Sequence, residues 1–196
     1  MTHDDFLKRL PVRTGHFRLE SGYHSDTWLT LDALFVSPRE IAPLVAALAD
    51  RLRTHDVSVV CGPLLGGAFL AQAVATRLDV EFFYSEPAGG KAAGMFEARY
   101  RLPAELARRI SDQRVAIVDD VIGAGSSVRA TAAAVTAAGG TVAAVGTLLT
   151  LGTVGIDHFS IAGIPLEALA RQPFTMWPQS SCPYCEHGMP LEDPSS

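Results

Sequence analysis

Between residues 115 and 127 the chain reads VAIVDDVIGAGSS: four apolar residues, two adjacent carboxylates a step later, then a loop of small residues. Val115, Ala116, Ile117 and Val118 suit a buried parallel strand. Asp119 and Asp120 follow, then Gly123, Ala124, Gly125, Ser126 and Ser127, and a helical run over residues 128–138. A strand that ends in a small-residue turn and opens a helix presents unpaired backbone N–H groups to a phosphate. Two anionic side chains beside such a site call for partners of their own. Sugar hydroxyls, which donate hydrogen bonds to carboxylates, and a hydrated Mg²⁺ both qualify. A sugar phosphate satisfies the whole set. The bland alternative is an ordinary turn with a solvated acid pair, and the occurrence of all the parts in order weighs against it.

A second loop has related chemistry. Gly62-Pro63-Leu64-Leu65-Gly66-Gly67 follows one apolar stretch and precedes a helical one, and its glycines let backbone approach a ligand closely. Taken alone this signal is weak, because glycines at strand ends are common. Ser85–Gly94, SEPAGGKAAG, has the composition of a closing lid, with Lys91 as its central cation. An exposed loop lysine is the plainer reading of Lys91.

The elements that must position these groups alternate. Strands are expected at residues 57–61, 80–84, 114–118 and 141–150, with helices over 66–78 and 126–138 between them. Residues 99–102 pair as a further strand. Such alternation predicts an α/β fold, a parallel sheet covered by helices on both faces. Upstream, Ser37 and Pro38 mark a helix start, which runs to about Arg53 with Ile41, Leu44, Val45, Leu48 and Leu52 on one face. A short helix over residues 4–10 and strands at 16–20 and 27–31 complete the N-terminal part. One domain is expected over 1–196: a small N-terminal hood at 1–36, a core at 37–152 and a C-terminal extension at 153–196.

Composition narrows the function. With 196 residues, 48% apolar and 19% charged, the chain has the balance of a soluble globular protein. No apolar run reaches the roughly 18 residues of a membrane helix. The start, MTHDDFLKRL, lacks an apolar signal core, so a cytoplasmic location is expected. Net charge is −5 with no lysine/arginine block, which removes the electrostatic footprint of nucleic-acid binding. Lysine occurs twice only, at Lys8 and Lys91.

The order apolar strand, Asp-Asp, Ser/Gly loop resembles the fingerprint of type I phosphoribosyltransferases. The resemblance extends over almost the whole chain, and His16 to Asp32, HFRLESGYHSDTWLTLD, is similar to the N-terminal signature of the orotate subfamily. It implies a phosphoribosyltransferase-type parallel-sheet core. It also implies a Mg²⁺-dependent transfer of a phosphoribosyl group from phosphoribosyl pyrophosphate to a nucleobase, with orotate favoured. By the same resemblance Asp119 and Asp120 take the ribose hydroxyls, and Gly123, Ala124, Gly125, Ser126 and Ser127 grip the 5-phosphate. Leu65, Gly66 and Gly67 bind pyrophosphate, Lys91 serves the lid, and His24 and Trp28 contact phosphate or base. A homodimer that shares the lid is implied too.

Three departures keep alternatives open. Gly123 stands where the family usually has Thr, and the lid is lysine-poor, with Arg99 and Arg101 nearby as substitutes. The strand ending at Thr150-Leu151-Gly152 lacks the Asp-Arg-Gln-Glu-like sequence of the orotate subfamily. Another base, or a non-catalytic sensor of the same ligand, are the rivals. Cys182-Pro-Tyr-Cys185 has the spacing of half a zinc site, with His187 two residues on. The other half is not evident. A site shared by two subunits, one completed by His187, a merely packed tail and redox chemistry are the readings the spacing leaves.

Overall fold

The computed structural model describes residues 12–29, 31–89 and 98–194. The expected helix at 4–10 and Lys91 lie outside them. Two sheets organise the chain. A six-stranded sheet contains β3 (Val59–Pro63), β4 (Glu81–Pro87), β5 (Tyr100–Arg101), β6 (Arg114–Ile122), β7 (Thr141–Leu151) and β8 (Leu166–Gln172), in the order β5-β4-β3-β6-β7-β8. All of its pairs are parallel except β4 with β5. A three-stranded antiparallel hood sheet contains β1 (Val12–Arg18), β2 (His24–Leu29) and β9 (Met176–Trp177).

Two apolar layers cover the main sheet, because successive strand residues face opposite sides. Val60, Ala116, Val118 and Leu148 pack against α2 (Pro38–Leu52) and α3 (Gly66–Leu78). Val59, Cys61, Ile117 and Val145 form the other layer with Val128 and Val135 of α5 (Ser126–Ala137). The short helices α1 (Asp32–Phe35), α4 (Ala104–Arg109) and α6 (Val154–Ile161) flank these layers, and α7 (Pro183–Glu186) lies in the C-terminal segment. Ile41, Leu44, Val45, Leu48 and Leu52 of α2 are all buried, as their spacing predicts. Ser37 sits before this helix in an extended conformation, but its hydroxyl makes no cap; its carbonyl accepts from the amides of Glu40 and Ile41 instead.

The lid region also differs from expectation. β4 continues through Ser85 to Pro87. Ser85 is fully buried with its Oγ 2.7 Å from Thr131 Oγ1, so the segment's first residues are part of the sheet. Arg101, a candidate substitute for lid lysines, pairs with Glu86 at 2.9 Å along the sheet edge.

The five parallel strands, counted along the chain, lie in the order second, first, third, fourth, fifth. Chain direction across the sheet therefore reverses between β3 and β6, and open α/β sheets bind ligands outside the carboxyl ends of the strands at such a reversal. Close backbone approach builds this crevice. A Cβ on Gly62 would lie 2.1 Å from the Gly67 carbonyl oxygen, so only glycine lets α3 start this close to β3. Gly62→Ala is expected to cost more than ~2 kcal/mol in urea unfolding, against less than ~0.5 kcal/mol for exposed Val36→Ala; equal midpoints would contradict the close approach.

Candidate functional site

Two strand ends and two helix starts converge at the reversal. β6 carries Asp119 and Asp120, and the strand does not stop at Val118 as the sequence suggests. Its pairing to β7 continues, Asp119 opposite Thr147 and Val121 opposite Leu149, which keeps the acids on ordered backbone. The first residues of α3 face them. A Cβ on Gly66 would come within 2.7 Å of Asp120 Oδ2, and one on Gly67 within 2.6 Å of Asp119 Oδ1. The glycines and the carboxylates are thus in contact, with no side chain between. Leu65 precedes the helix with its side chain exposed, joined to Leu64 by a cis peptide bond.

Asp119 is buried, and its two oxygens are occupied: Oδ2 accepts from Ser127 Oγ at 2.8 Å and Oδ1 from the Asp120 amide at 3.1 Å. Asp120 Oδ1 accepts from the Val121 amide at 2.9 Å. Burial first, and the neighbouring Asp120 charge second, push the Asp119 carboxyl well above the ordinary carboxylate range; the Ser127 hydrogen bond pulls the other way. The pair resists double ionisation unless a cation or donors arrive.

The loop from Gly123 to Ser127 joins β6 to α5. Gly125 adopts φ +77° at the helix cap, where a side chain would be strained. The first amides of α5 have no carbonyl a turn earlier. Among the described residues, none of the amides of residues 123–128 donates to a turn, loop or cap carbonyl. Ser126 Oγ is buried without a hydrogen-bond partner. At Gly123 a Cβ would meet nothing closer than 3.9 Å, so the hydroxyl-bearing residue usual in the resembling family has room there.

A cavity of about 160 Å³ opens between this loop and the hood. That is close to the ~150 Å³ in which an apolar cavity holds one benzene ring. Leu19, Ser21 and Trp28 come from the hood, Val121, Leu151 and Phe174 from the main sheet and its sequel, and residues 123–127 complete the wall. Glu20, also at the wall, accepts a 2.9 Å hydrogen bond from the Tyr100 hydroxyl and so ties the hood loop to β5. Burial raises the pKa of both groups.

The structure brings Asp119, Asp120, Gly66, Gly67 and the 123–127 loop together, with Trp28 across the cavity. It places His24 elsewhere. That imidazole is 2% exposed, 3.0 Å from His16 Nε2, and does not line the cavity. The expectation that His24 touches substrate gives way to a role inside the hood. His187 is exposed and bonded to the Pro183 carbonyl, so it does not complete a set with Cys182 and Cys185. Cys61 is a core residue whose thiol is pushed up to about 12 by burial, which leaves it inert. Leu19, Ser21 and Phe174 escape sequence reasoning, because apolar or small residues in a loop carry no local chemical signal.

Because the Asp119 pKa is raised on folding, the folded chain holds that proton more tightly than the unfolded one. This group favours folding most below the ordinary carboxylate range, and that advantage is lost as pH rises through the raised folded pKa. Asp119→Asn is therefore expected to melt above the parent at neutral pH, the two converging toward pH ~4. Thermal unfolding across pH checks this. A variant that melts lower at neutral pH would show that the Ser127 hydrogen bond outweighs desolvation.

A family model for the phosphoribosyl transferase domain matches residues 32–153. The chain is 31% identical over 191 residues to the orotate phosphoribosyltransferase of Caldanaerobacter subterraneus subsp. tengcongensis, covering 97% of this chain and 94% of the relative. It is 32% identical over 200 residues to that of Pelotomaculum thermopropionicum, covering 100% and 98%. Among solved structures, adenine phosphoribosyltransferase from Rhodothermus marinus matches with a TM-score of 0.70 at 19% identity, over 86% of this chain and 97% of that one. Orotate phosphoribosyltransferase from Aeropyrum pernix matches with a TM-score of 0.64 at 24% identity, over 87% and 93%. The structural likenesses speak for the fold, whereas the sequence matches span nearly the full length of both partners. With its acid pair and open loop amides at the sheet reversal, the chain belongs to the phosphoribosyltransferase family.

Proposed function

We propose that this protein transfers the phosphoribosyl group of phosphoribosyl pyrophosphate to orotate, releasing pyrophosphate. The observation that carries this reading is the Ser126 hydroxyl, buried and unpartnered at the start of α5 beside loop amides that meet no turn, loop or cap carbonyl among the described residues. A buried hydroxyl left without a partner costs ~1–3 kcal/mol, which a bound phosphate oxygen removes. The helix start adds favourable electrostatics for that anion. The names of the full-length relatives support orotate as the acceptor.

In this reading the 5-phosphate sits on the amides of Gly125–Ser127 and on Ser126 Oγ. Asp119 and Asp120 accept hydrogen bonds from the ribose hydroxyls, and the pyrophosphate lies against the start of α3 at Leu65, Gly66 and Gly67. The reaction breaks the bond from the anomeric carbon to a pyrophosphate oxygen and forms one to a base nitrogen. Positive charge grows on the ribose ring in between, and the nearby carboxylates stabilise it. Trp28 and the hood wall hold the base in line and exclude water that would hydrolyse the sugar. Asp119 and Asp120 offer the hard oxygen donors that Mg²⁺ takes, and the cation, when bound, neutralises charge on the departing pyrophosphate. Lys91 belongs to the lid in the same reading.

A cytoplasmic homodimer completes the proposal. No helix of the described residues is long and apolar enough to cross a membrane. Phe69 leaves its ring half exposed, 6.0 Å from that of Phe35, on a face suited to a second copy.

Incubation with phosphoribosyl pyrophosphate, Mg²⁺ and a panel of bases tests the acceptor through pyrophosphate release. Release with orotate and no other base is expected; release with a purine instead overturns the acceptor, and release with none overturns the transfer. Ser126→Ala should raise KM for phosphoribosyl pyrophosphate about tenfold, the kinetic equivalent of ~1.4 kcal/mol, with kcat nearly unchanged. An unchanged KM would place the phosphate elsewhere.

A further inference from the structure

Away from the cavity, four side chains that no step of the proposed transfer uses converge inside the hood. His16 and His24 come from β1 and β2, Cys182 and Cys185 from the start of α7. One ligand-capable atom of each lies within 4.8 Å of all the others. His16 Nε2 is 3.0 Å from His24 Nδ1, 3.5 Å from Cys182 Sγ and 3.7 Å from Cys185 Sγ, and His24 Nδ1 is 3.2 Å from Cys185 Sγ. Around a tetrahedral zinc, with Zn–N of ~2.0 Å and Zn–S of ~2.3 Å, nitrogen–nitrogen and nitrogen–sulfur separations come to roughly 3.3 and 3.5 Å. The three nitrogen–sulfur distances bracket the tetrahedral value, and the nitrogen–nitrogen distance falls about 0.3 Å short of it. We propose that His16, His24, Cys182 and Cys185 form a structural zinc site that clasps the N-terminal hairpin to the C-terminal segment.

The surroundings fit a metal centre. His16 turns its Nδ1 to the Met189 carbonyl at 3.0 Å, the backbone acceptor that fixes a metal-binding imidazole with its other nitrogen inward. Its ring stacks on Tyr184, 5.6 Å between centroids. His16, His24 and Cys182 are at most 3% exposed, while Cys185 is half-buried and leaves a route for the ion. A bulge in the β1–β2 pairing falls between Thr14 and Phe17, and His16 lies within it. On binding, the two thiols give their protons to solvent and four protein ligands close the coordination, so the site is structural and no water is activated. Without metal, the same atoms form one imidazole–imidazole hydrogen bond and a set of weaker sulfur–imidazole contacts.

The site supplies what a small hood needs. The strand after its turn carries Thr27 and Trp28 into the cavity wall, so fixing His24 fixes the frame on which they stand. Metal content tests the proposal independently of the transferase reading. The full chain, purified under reducing conditions, is expected to carry one zinc per chain by elemental mass spectrometry. Cys185→Ser and His16→Ala should each lose it, and His187→Ala should keep it. Replacement with Co²⁺ should give the intense visible bands of a tetrahedral thiolate complex, a readout that does not depend on the variants folding well. A zinc-selective chelator, with Mg²⁺ in excess, should lower the melting temperature by at least about 5 °C, restored by zinc. Less than a tenth of a zinc per chain, no uptake of Co²⁺, or loss of metal in His187→Ala overturns the proposal. A Cys182–Cys185 disulfide in the reduced preparation does so as well.

Discussion

Contact between two glycines and two carboxylates sets the geometry of everything around it. Gly66 and Gly67 bring the start of α3 against Asp120 and Asp119, and Gly62 lets that helix begin almost on top of its own strand. A methyl group at any of the three would push α3 from β6 and open the crevice where the sheet reverses direction. The arrangement is costly by itself. It buries a carboxyl beside another carboxyl and leaves a serine hydroxyl without a partner. Such costs are tolerated in a fold whose two apolar layers are otherwise densely buried, and under the proposed transfer they are what a phosphate, sugar hydroxyls and a cation would remove on binding.

Much of this was legible because the informative residues are contiguous. Strand, acids, loop and helix follow one another within residues 115–138, and β6 and α5 appear where the pattern puts them, with α3 matching residue for residue. A strand at residues 99–102 was legible as well, though not the antiparallel sense in which residues 100–101 pair. What escaped is mostly C-terminal. Leu166–Gln172 reads LEALARQ, a run of good helix formers, yet it is β8, paired along the edge of the main sheet by β7. Pairing to an existing strand outweighs intrinsic preference of this size, which totals only tenths of a kcal/mol per residue. The helix α4 was missed for a related reason: none of its six residues is fully buried, so it carries no apolar stripe.

The Cys182–Cys185 pair shows a different limit. Its spacing is that of half a metal site, and the sequence left a second subunit, or His187 with another ligand, as the completion, beside a packed tail or redox chemistry. The partners lie about 160 residues upstream instead, Cys185 and His24 being 161 positions apart. They meet because the C-terminal segment returns to the hairpin. Trp177 pairs with His24, the Glu192 amide bonds the His16 carbonyl at 2.8 Å, and the Arg18 amide bonds the Glu192 carbonyl. Sequence spacing reports ligand sets within one loop; it is blind to those made by closure of the chain ends.

That closure bears on specificity. The end of the cavity formed by residues 123–127 stands on the main sheet, held by two buried layers, whereas its opposite wall stands on three short strands. A hairpin of this size is marginal alone, and its third strand contributes only Met176 and Trp177. The wall that would select a base is therefore the part least supported by burial, and its rigidity must come from cross-links at its edge. Tyr100 with Glu20 provides one link, to the main sheet. The His16, His24, Cys182 and Cys185 cluster provides the other, between the two ends of the chain. Under the proposed transfer, discrimination between bases would depend on differences of a few ångströms in that wall, so the hood's anchoring, as much as its cavity-facing side chains, would decide which ring fits.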